Sequence, residues 1–220
     1  MTGVVSIDQV HSLCYYIASK QLQAFPSPAE FNQYANLANI DLFNYYNDKR
    51  LEELVKVKQG ESLYVPPVLA NFVQYDVVLS QTGNVLQQPS SYLYDLQMKS
   101  ASVNLFKKVD YDKVLNYQNS TIDTPTNTNP IFVELSDTFI VYPSTVSNCQ
   151  LTYLSQPNTV VWNYSLVNGR PVYNPVGSVD FQWDTTELYR IVARVCKYMG
   201  ISIRDGELAQ AANEMIQTSS

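Results

Sequence analysis

The chain has 220 residues, 45% of them apolar, and sets 14 Lys and Arg against 20 Asp and Glu for a formal charge of −6. A chain of this length buries about 70% of the surface it exposes when unfolded, so it can build a core without metal or disulfide staples, and its apolar content excludes wholesale disorder. The acidic balance and scattered basic residues remove the electrostatic basis for gripping a phosphate backbone, and no apolar run reaches the ~18 residues that would span a membrane.

Charged residues make up only 15%, against about 25% in ordinary soluble domains, and 17 Tyr together with Asn and Gln fill the gap. Such an exterior is polar but weakly charged, and suits a surface covered by partners. An AT-rich genome, which favours Asn and Tyr codons, gives the same composition. The start, Met1 to Asp8, lacks a basic residue followed by an apolar stretch, so no signal peptide is expected. Cys14, Cys149 and Cys196 are odd in number and widely spaced, which predicts unpaired thiols in a reducing cytoplasm.

The first predicted element is a helix opened by Ser6-Ile-Asp-Gln9, which has capping-box spacing. Its apolar stripe is Val10, Leu13, Cys14, Ile17, Ala18 and Leu22, and Phe25-Pro26 ends it. Ser27-Pro28-Ala29-Glu30 opens a second helix with an N-cap Ser, Pro at the first helical position and Glu at the third. Phe31, Tyr34, Ala35, Ala38, Leu42, Tyr45 and Tyr46 carry it to about Lys58, where Gln59-Gly60 stops it.

From Tyr64 to Val179 prolines punctuate short alternating runs, which predict strands at 75–80, 93–103, 131–135, 138–142, 151–154 and 160–164. Ser136-Asp137 and Asn168-Gly169 have the composition of tight hairpin connections, and 116–129 reads as a long polar loop. Asp184-Thr-Thr-Glu187 caps a further helix with Leu188, Ile191, Val192, Val195, Cys196 and Met199 inward, ended by Gly200. Asp205 opens a last short helix with Leu208, Ala211, Ala212 and Met215 inward. The expected fold is α+β: N- and C-terminal helices, residues 1–62 and 180–220, form a helical body with a Pro-punctuated antiparallel β region, 63–179, inserted.

No catalytic, cofactor-binding or metal-ligating residue is assigned. The single His11 removes schemes needing two imidazoles, and is expected to be an exposed or capping residue of the first helical turn. His11 and Cys14 share a helix face without a third ligand in view. Cys196 is expected in the core and Cys149 half-buried at a strand start. With seven Gly and no phosphate-cradling loop, and acid pairs such as Asp110/Asp112 and Glu52/Glu53 in charged surroundings, no enzyme signature emerges. Tyr92, Tyr94, Tyr142, Tyr153, Trp162, Tyr164, Tyr173 and Trp183 could line a sugar-stacking platform; cross-strand pairs and core are the alternative.

The run from Pro28 through Phe31, Asn32, Ala38, Asp41 and Leu42 to Phe43 resembles a helix opening in structural proteins of phages infecting Bacteroidetes, the crAss-like group among them. A second set is similar to the neck or ring proteins of those particles, a group that looks like the head-to-tail adaptors of short-tailed phages. It comprises Ile140 to Pro143, Leu151 to Pro157, Tyr173 to Pro175, Ser178 to Phe181 and the closing helix Glu187 to Gly200. The likeness covers about half the chain and none of 64–130.

The resemblance implies a virion structural protein of the neck or tail, made and assembled in the host cytoplasm. It would be a connector subunit that docks on the portal and joins it to the tail, in a ring of about twelve copies of itself. Further partners would be neighbouring tail or ring proteins, with DNA only in passing through the channel, and no membrane or cofactor. The acidic balance suits a bore that does not hold DNA. Under this reading the second helix and the 116–129 loop are expected to contact neighbouring rings, and residues 184–220 to dock on the portal or a neighbour. The alternative is a peripheral tail or receptor-binding module that contacts host surface glycans through the β-region aromatics.

Overall fold

A computed structural model describes residues 3–21, 24–56, 65–100 and 105–201, with 55 and 56 described by backbone alone. The expected last helix from Asp205, and Leu22 of the first stripe, lie outside these residues. In chain order the elements begin with α1 (Ile7–Lys20), α2 (Pro28–Lys56), β1 (Val73–Val78), β2 (Gln81–Thr82), β3 (Val85–Gln87), β4 (Tyr92–Lys99) and β5 (Lys107–Lys108). They continue with α3 (Val114–Gln118), β6 (Ile131–Glu134), β7 (Thr138–Tyr142), β8 (Gln150–Ser155), β9 (Tyr164–Val167), β10 (Arg170–Tyr173) and α4 (Leu188–Tyr198). The fold is α+β. Its described residues form two compact units, one of 3–56, 65–71 and 157–201, the other of 72–156.

In the helical unit the α1 stripe Val10, Leu13, Cys14, Ile17 and Ala18 is buried as its spacing predicts. The Ser6 box does not form: Ser6 makes no side-chain cap, and the Ile7 N–H donates instead to Asp180 Oδ1 at 2.8 Å. A carboxylate at a helix start satisfies an orphan donor and the positive dipole end equally well. The Ser27 box does form, with the Ser27 N–H and hydroxyl donating to Glu30 Oε2 at 2.9 and 2.7 Å. These bonds hold the Glu30 carboxyl below its ordinary value.

Helix α4 follows a 3-10 turn capped by Asp184, whose Oδ1 accepts from the Thr186 N–H at 3.0 Å. At its end Gly200, at φ +76°, lets the Ile201 N–H reach the Cys196 carbonyl and its own N–H reach that of Lys197, a Schellman closure. Helix α4 packs on α1 and α2. Cys14 and Cys196 meet between α1 and α4 as free buried thiols, and burial pushes the Cys14 thiol up, helped by its hydrogen bond to Cys196. Arg194 Nε donates to Asp41 Oδ2 at 2.8 Å, and the Tyr46 hydroxyl donates to Glu187 Oε2 at 2.8 Å, fastening α4 and its cap to α2.

The segment 157–179, expected in the β region, belongs to this unit because α2 holds it through side-chain amides. Asn36 accepts from the Val160 N–H at 2.9 Å and donates to the Val160 carbonyl at 2.9 Å. Asn32 does the same for Trp162, at 2.8 and 3.2 Å. Asn39 donates to the Asn158 carbonyl at 3.0 Å and accepts from Trp183 Nε1 at 2.8 Å. From Asn32 to Asn36 four helical residues rise about 6.0 Å, close to the roughly 6.6 Å of two extended residues, and Asn39, three further on and about 4.5 Å higher, still reaches the next alternate residue of the extended chain. The intervening Val161 points the other way and exchanges both backbone bonds with Val179, at 3.0 and 2.8 Å. The predicted strand at 160–164 is thus an extended segment with a helix as one neighbour, and the regular strand β9 starts only at Tyr164.

The second unit is built of a three-stranded antiparallel sheet, order β1-β8-β4, and a five-stranded sheet, order β2-β3-β7-β6-β5, in which only β5 and β6 run parallel. Four of the predicted strands appear as β1, β6, β7 and β8 with ends shifted by up to two residues. The predicted 93–103 is β4, which ends at Lys99, and 101–104 lie outside the described residues. Leu86, Met98, Phe132, Phe139 and Leu151 form its core. Cys149, expected half-buried, is fully buried there. The polar stretch 116–129 begins as the end of α3 and continues as a turn in which Ser120 Oγ accepts from the Ile122 and Asp123 N–H groups, at 3.2 and 2.9 Å.

A charged cluster ties the two sheets. The Tyr92 hydroxyl donates to Glu134 Oε1 at 2.6 Å, and the Lys108 ammonium donates to Glu134 Oε2 and Asp95 Oδ1, both at 2.5 Å. Burial would raise the Glu134 carboxyl, but its bonds to Lys108 and Tyr92 hold it below the ordinary value. The same burial, with Glu134 accepting its proton, pushes the Tyr92 phenol far up.

Two outcomes are expected. Asn36→Leu strands the buried Val160 N–H and carbonyl and lowers unfolding stability by about 2–4 kcal/mol in denaturant titration, whereas Asn44→Leu on the exposed face of α2 changes it by under about 0.5 kcal/mol. Lys108→Met costs about 1 kcal/mol at pH 7, a figure reduced for the lysine's exposure. Because the folded Glu134 value is depressed, the stability it contributes is complete above the unfolded carboxylate value of about 4.3 and is lost as pH falls through the folded one. The Lys108→Met penalty therefore shrinks toward zero at lower pH in parallel melts.

Candidate functional site

The asparagine contacts fix Trp162, and Trp162, covered by His11, underlies a cleft. Its indole is 3% exposed, and its Nε1 donates to Asp8 Oδ1 at 2.9 Å. The His11 ring stacks on it with centroids 3.9 Å apart and planes 7° from parallel. Phe25 and Phe31 meet His11 edge-on at 5.0 and 4.8 Å. His11 is therefore the half-buried centre of an aromatic box, where an exposed or capping residue was expected. That expectation rested on its place in the first turn; the covering rings come from residues 14 to 151 positions away in sequence. Burial lowers the imidazole to about 4, with Asp8 opposing, so the ring is neutral at neutral pH.

Above this floor lies a cleft of about 410 Å3, walled by Tyr15, Phe25, Pro26 and Pro28 and rimmed by Ser12, Arg170 and Pro171. Among the described residues Arg170 is the one fully charged side chain lining it, and no described carboxylate lies within ion-pair distance of its guanidinium.

Arg170 and Pro171 belong to the β9–β10 hairpin. Asn168 and Gly169, at φ +52° and +78°, form the two-residue turn that their sequence predicts, and Arg170 pairs with Val167 across it. All of β9 and most of β10 are exposed, with Leu166, Val167 and Val172 at 69, 51 and 47%. The hairpin base is held by Tyr164 and Tyr173, each with its ring centroid 6.0 Å from that of Trp162. Gly177, at φ +85°, closes the return beneath it, where a Cβ would stand 3.1 Å from the Asn163 amide. A two-stranded hairpin has marginal stability by itself in water, and this one displays apolar side chains.

The eight aromatics considered as a sugar platform divide between the two units. Tyr92, Tyr94, Tyr142 and Tyr153 lie in 72–156, and the others in the helical unit. Trp183, Trp162 and Tyr153 are core side chains, 0, 3 and 4% exposed, with no free ring face to offer. The box-forming residues escaped sequence reasoning because His11, Phe25 and Trp162 come from three separate stretches. The asparagines left a usable signal: Asn32, Asn36 and Asn39 recur at helical spacing beside buried Phe31, Ala35 and Ala38.

Among the described residues no group of three His, Cys, Asp or Glu is placed to hold a metal ion, and no helix is long and apolar enough to cross a membrane. No protein-family model and no curated protein matches the chain.

His11 gives the unit an acid-sensitive joint. The unfolded imidazole takes a proton near its ordinary 6.5 and the folded one only near 4, so stability is lost progressively as pH falls through that window and levels off below it. After discounting for the ring's partial exposure, the loss is expected to be about 2 kcal/mol. His11→Phe, which keeps a ring on Trp162 and removes the proton site, is expected to flatten the pH dependence of unfolding between those values.

Proposed function

We propose that this chain is a virion structural protein: a head-to-tail connector subunit that forms a ring of about twelve copies, docks on the portal and joins it to neighbouring ring or tail proteins. The observation that carries the reading is the β9–β10 hairpin, a projecting two-stranded element whose exposed apolar side chains call for a covering protein surface. The resemblance to neck proteins supports it, since its residues supply α2 from Pro28 to Phe43, the base of the hairpin at Tyr173 and the closing helix α4. DNA in this reading only passes through the channel, and no membrane takes part.

The reading as a glycan-binding tail module has less support, because Trp162 is buried under His11 and has no face free to stack on a sugar. Copy number tests the connector reading. Quantitative mass spectrometry of purified virions, referenced to portal and major capsid protein, is expected to give a ratio near one to the portal, or about a dozen copies. Hundreds of copies, or none in the particle, would contradict it.

A further inference from the structure

Resting on the ring reading, we infer that the aromatic cleft of one copy receives the Ile122-Asp123 turn of the next, so that this knob and this cleft are the two unlike halves of the subunit–subunit contact. Ile122 is 92% exposed, more than any other large apolar side chain among the described residues. An Ile so exposed gains by burial and has almost no packing partner among the described residues. Its backbone is already ordered: Ser120 Oγ accepts from both the Ile122 and Asp123 N–H groups, and Thr124 Oγ1 donates to the Ser120 carbonyl. The knob is thus presented at little further entropic cost.

The cleft is the complement in shape and charge. Its floor is the His11 ring that covers Trp162, and its walls are Tyr15, Phe25 and proline rings, a surface that accepts a branched apolar side chain. Its volume of about 410 Å3 falls in the range of pockets that take a small ligand or a few side chains. Its rim carries Arg170, and the residue beside the knob is Asp123, a carboxylate in no ion pair among the described residues. An apolar anchor seated in a pocket beside a charge pair is the usual composition of an interface hot spot. The occupant is a second copy of this chain because the matching carboxylate, next to the most exposed apolar side chain, is one that the chain itself supplies. A contact between two different patches is heterologous, which closes rings when the rotation allows.

The test uses the full-length chain in sedimentation velocity over a range of concentrations. The wild type is expected to self-associate. Arg170→Glu and Asp123→Lys are each expected to weaken association at least about tenfold by placing like charges together, and Ile122→Ser by a similar factor. An equimolar mixture of the Arg170→Glu and Asp123→Lys proteins is expected to associate again, because Asp123 then meets Arg170 at one junction and the new Lys meets the new Glu at the other. All the substituted positions are exposed, and circular dichroism melts are expected to match wild type.

A wild type that stays monomeric at every concentration overturns the contact, and so does a mixture that fails to recover. Association untouched by either charge reversal also overturns it while leaving the ring reading standing, which virion copy number tests independently. A chain monomeric by itself whose Arg170→Glu variant loses portal binding assigns the cleft to the portal and likewise overturns the proposal.

Discussion

An extended segment buried against a helix ordinarily leaves its backbone donors and acceptors without partners, since the helix spends its own on itself. Val160 and Trp162 are almost fully buried, so water cannot serve them. Here three asparagines supply what a neighbouring strand would. Each of Asn32 and Asn36 offers one acceptor and one donor to a single residue, in the pattern of a closely bonded antiparallel pair. A neutral amide does this without the desolvation cost of a charge, and only Gln shares its pairing of a carbonyl acceptor with an adjacent NH2 donor. The near match between four helical residues and two extended ones sets the register, and Val179 completes the other side.

The rest of the helical unit follows from that clamp. With 158–162 fixed, Trp162 is pinned from the backbone side and by Asp8 at its indole nitrogen, and His11 can stack on it. The hairpin begins two residues later, so its base tyrosines inherit their position from the same clamp. An exposed hairpin on a buried aromatic base suits a contact surface, because the buried part limits the ordering cost and the exposed part supplies apolar area. The unit of 72–156 uses a different device: a Tyr-Lys-carboxylate cluster across two sheets, which makes its stability depend on carboxylate ionisation.

What the sequence made legible was local. The Ser27-Glu30 box closes over three residues, the Asn168-Gly169 turn over two, and Gly200 ends α4 within its own last turn. Each depends on near neighbours, so spacing alone exposes it. The site did not yield in that way. Asn32 meets Trp162 across 130 positions, Asp8 meets it across 154, and Asp180 replaces the Ser6 cap across 173. An Asn on a helix reads as a side chain facing water unless its partner is known, and a lone His beside a charged first turn reads as exposed. The aromatic run of the middle region suggested a sugar platform because pattern cannot tell a core Trp from a presented one. Burial decides that, and burial is a property of the assembled unit.

The central claim is that side-chain amides of α2 act as the bonding partner of residues 158–162 and so fix the surface built on them. Native-state hydrogen exchange reads it directly in the intact chain. The Val160 and Trp162 amides are expected to exchange only through unfolding of the whole helical unit, with protection equal to that of amides inside α4. Exchange as fast as that of Asn168 and Gly169 in the exposed hairpin turn would contradict the account, since it would mean that the asparagines do not hold the segment.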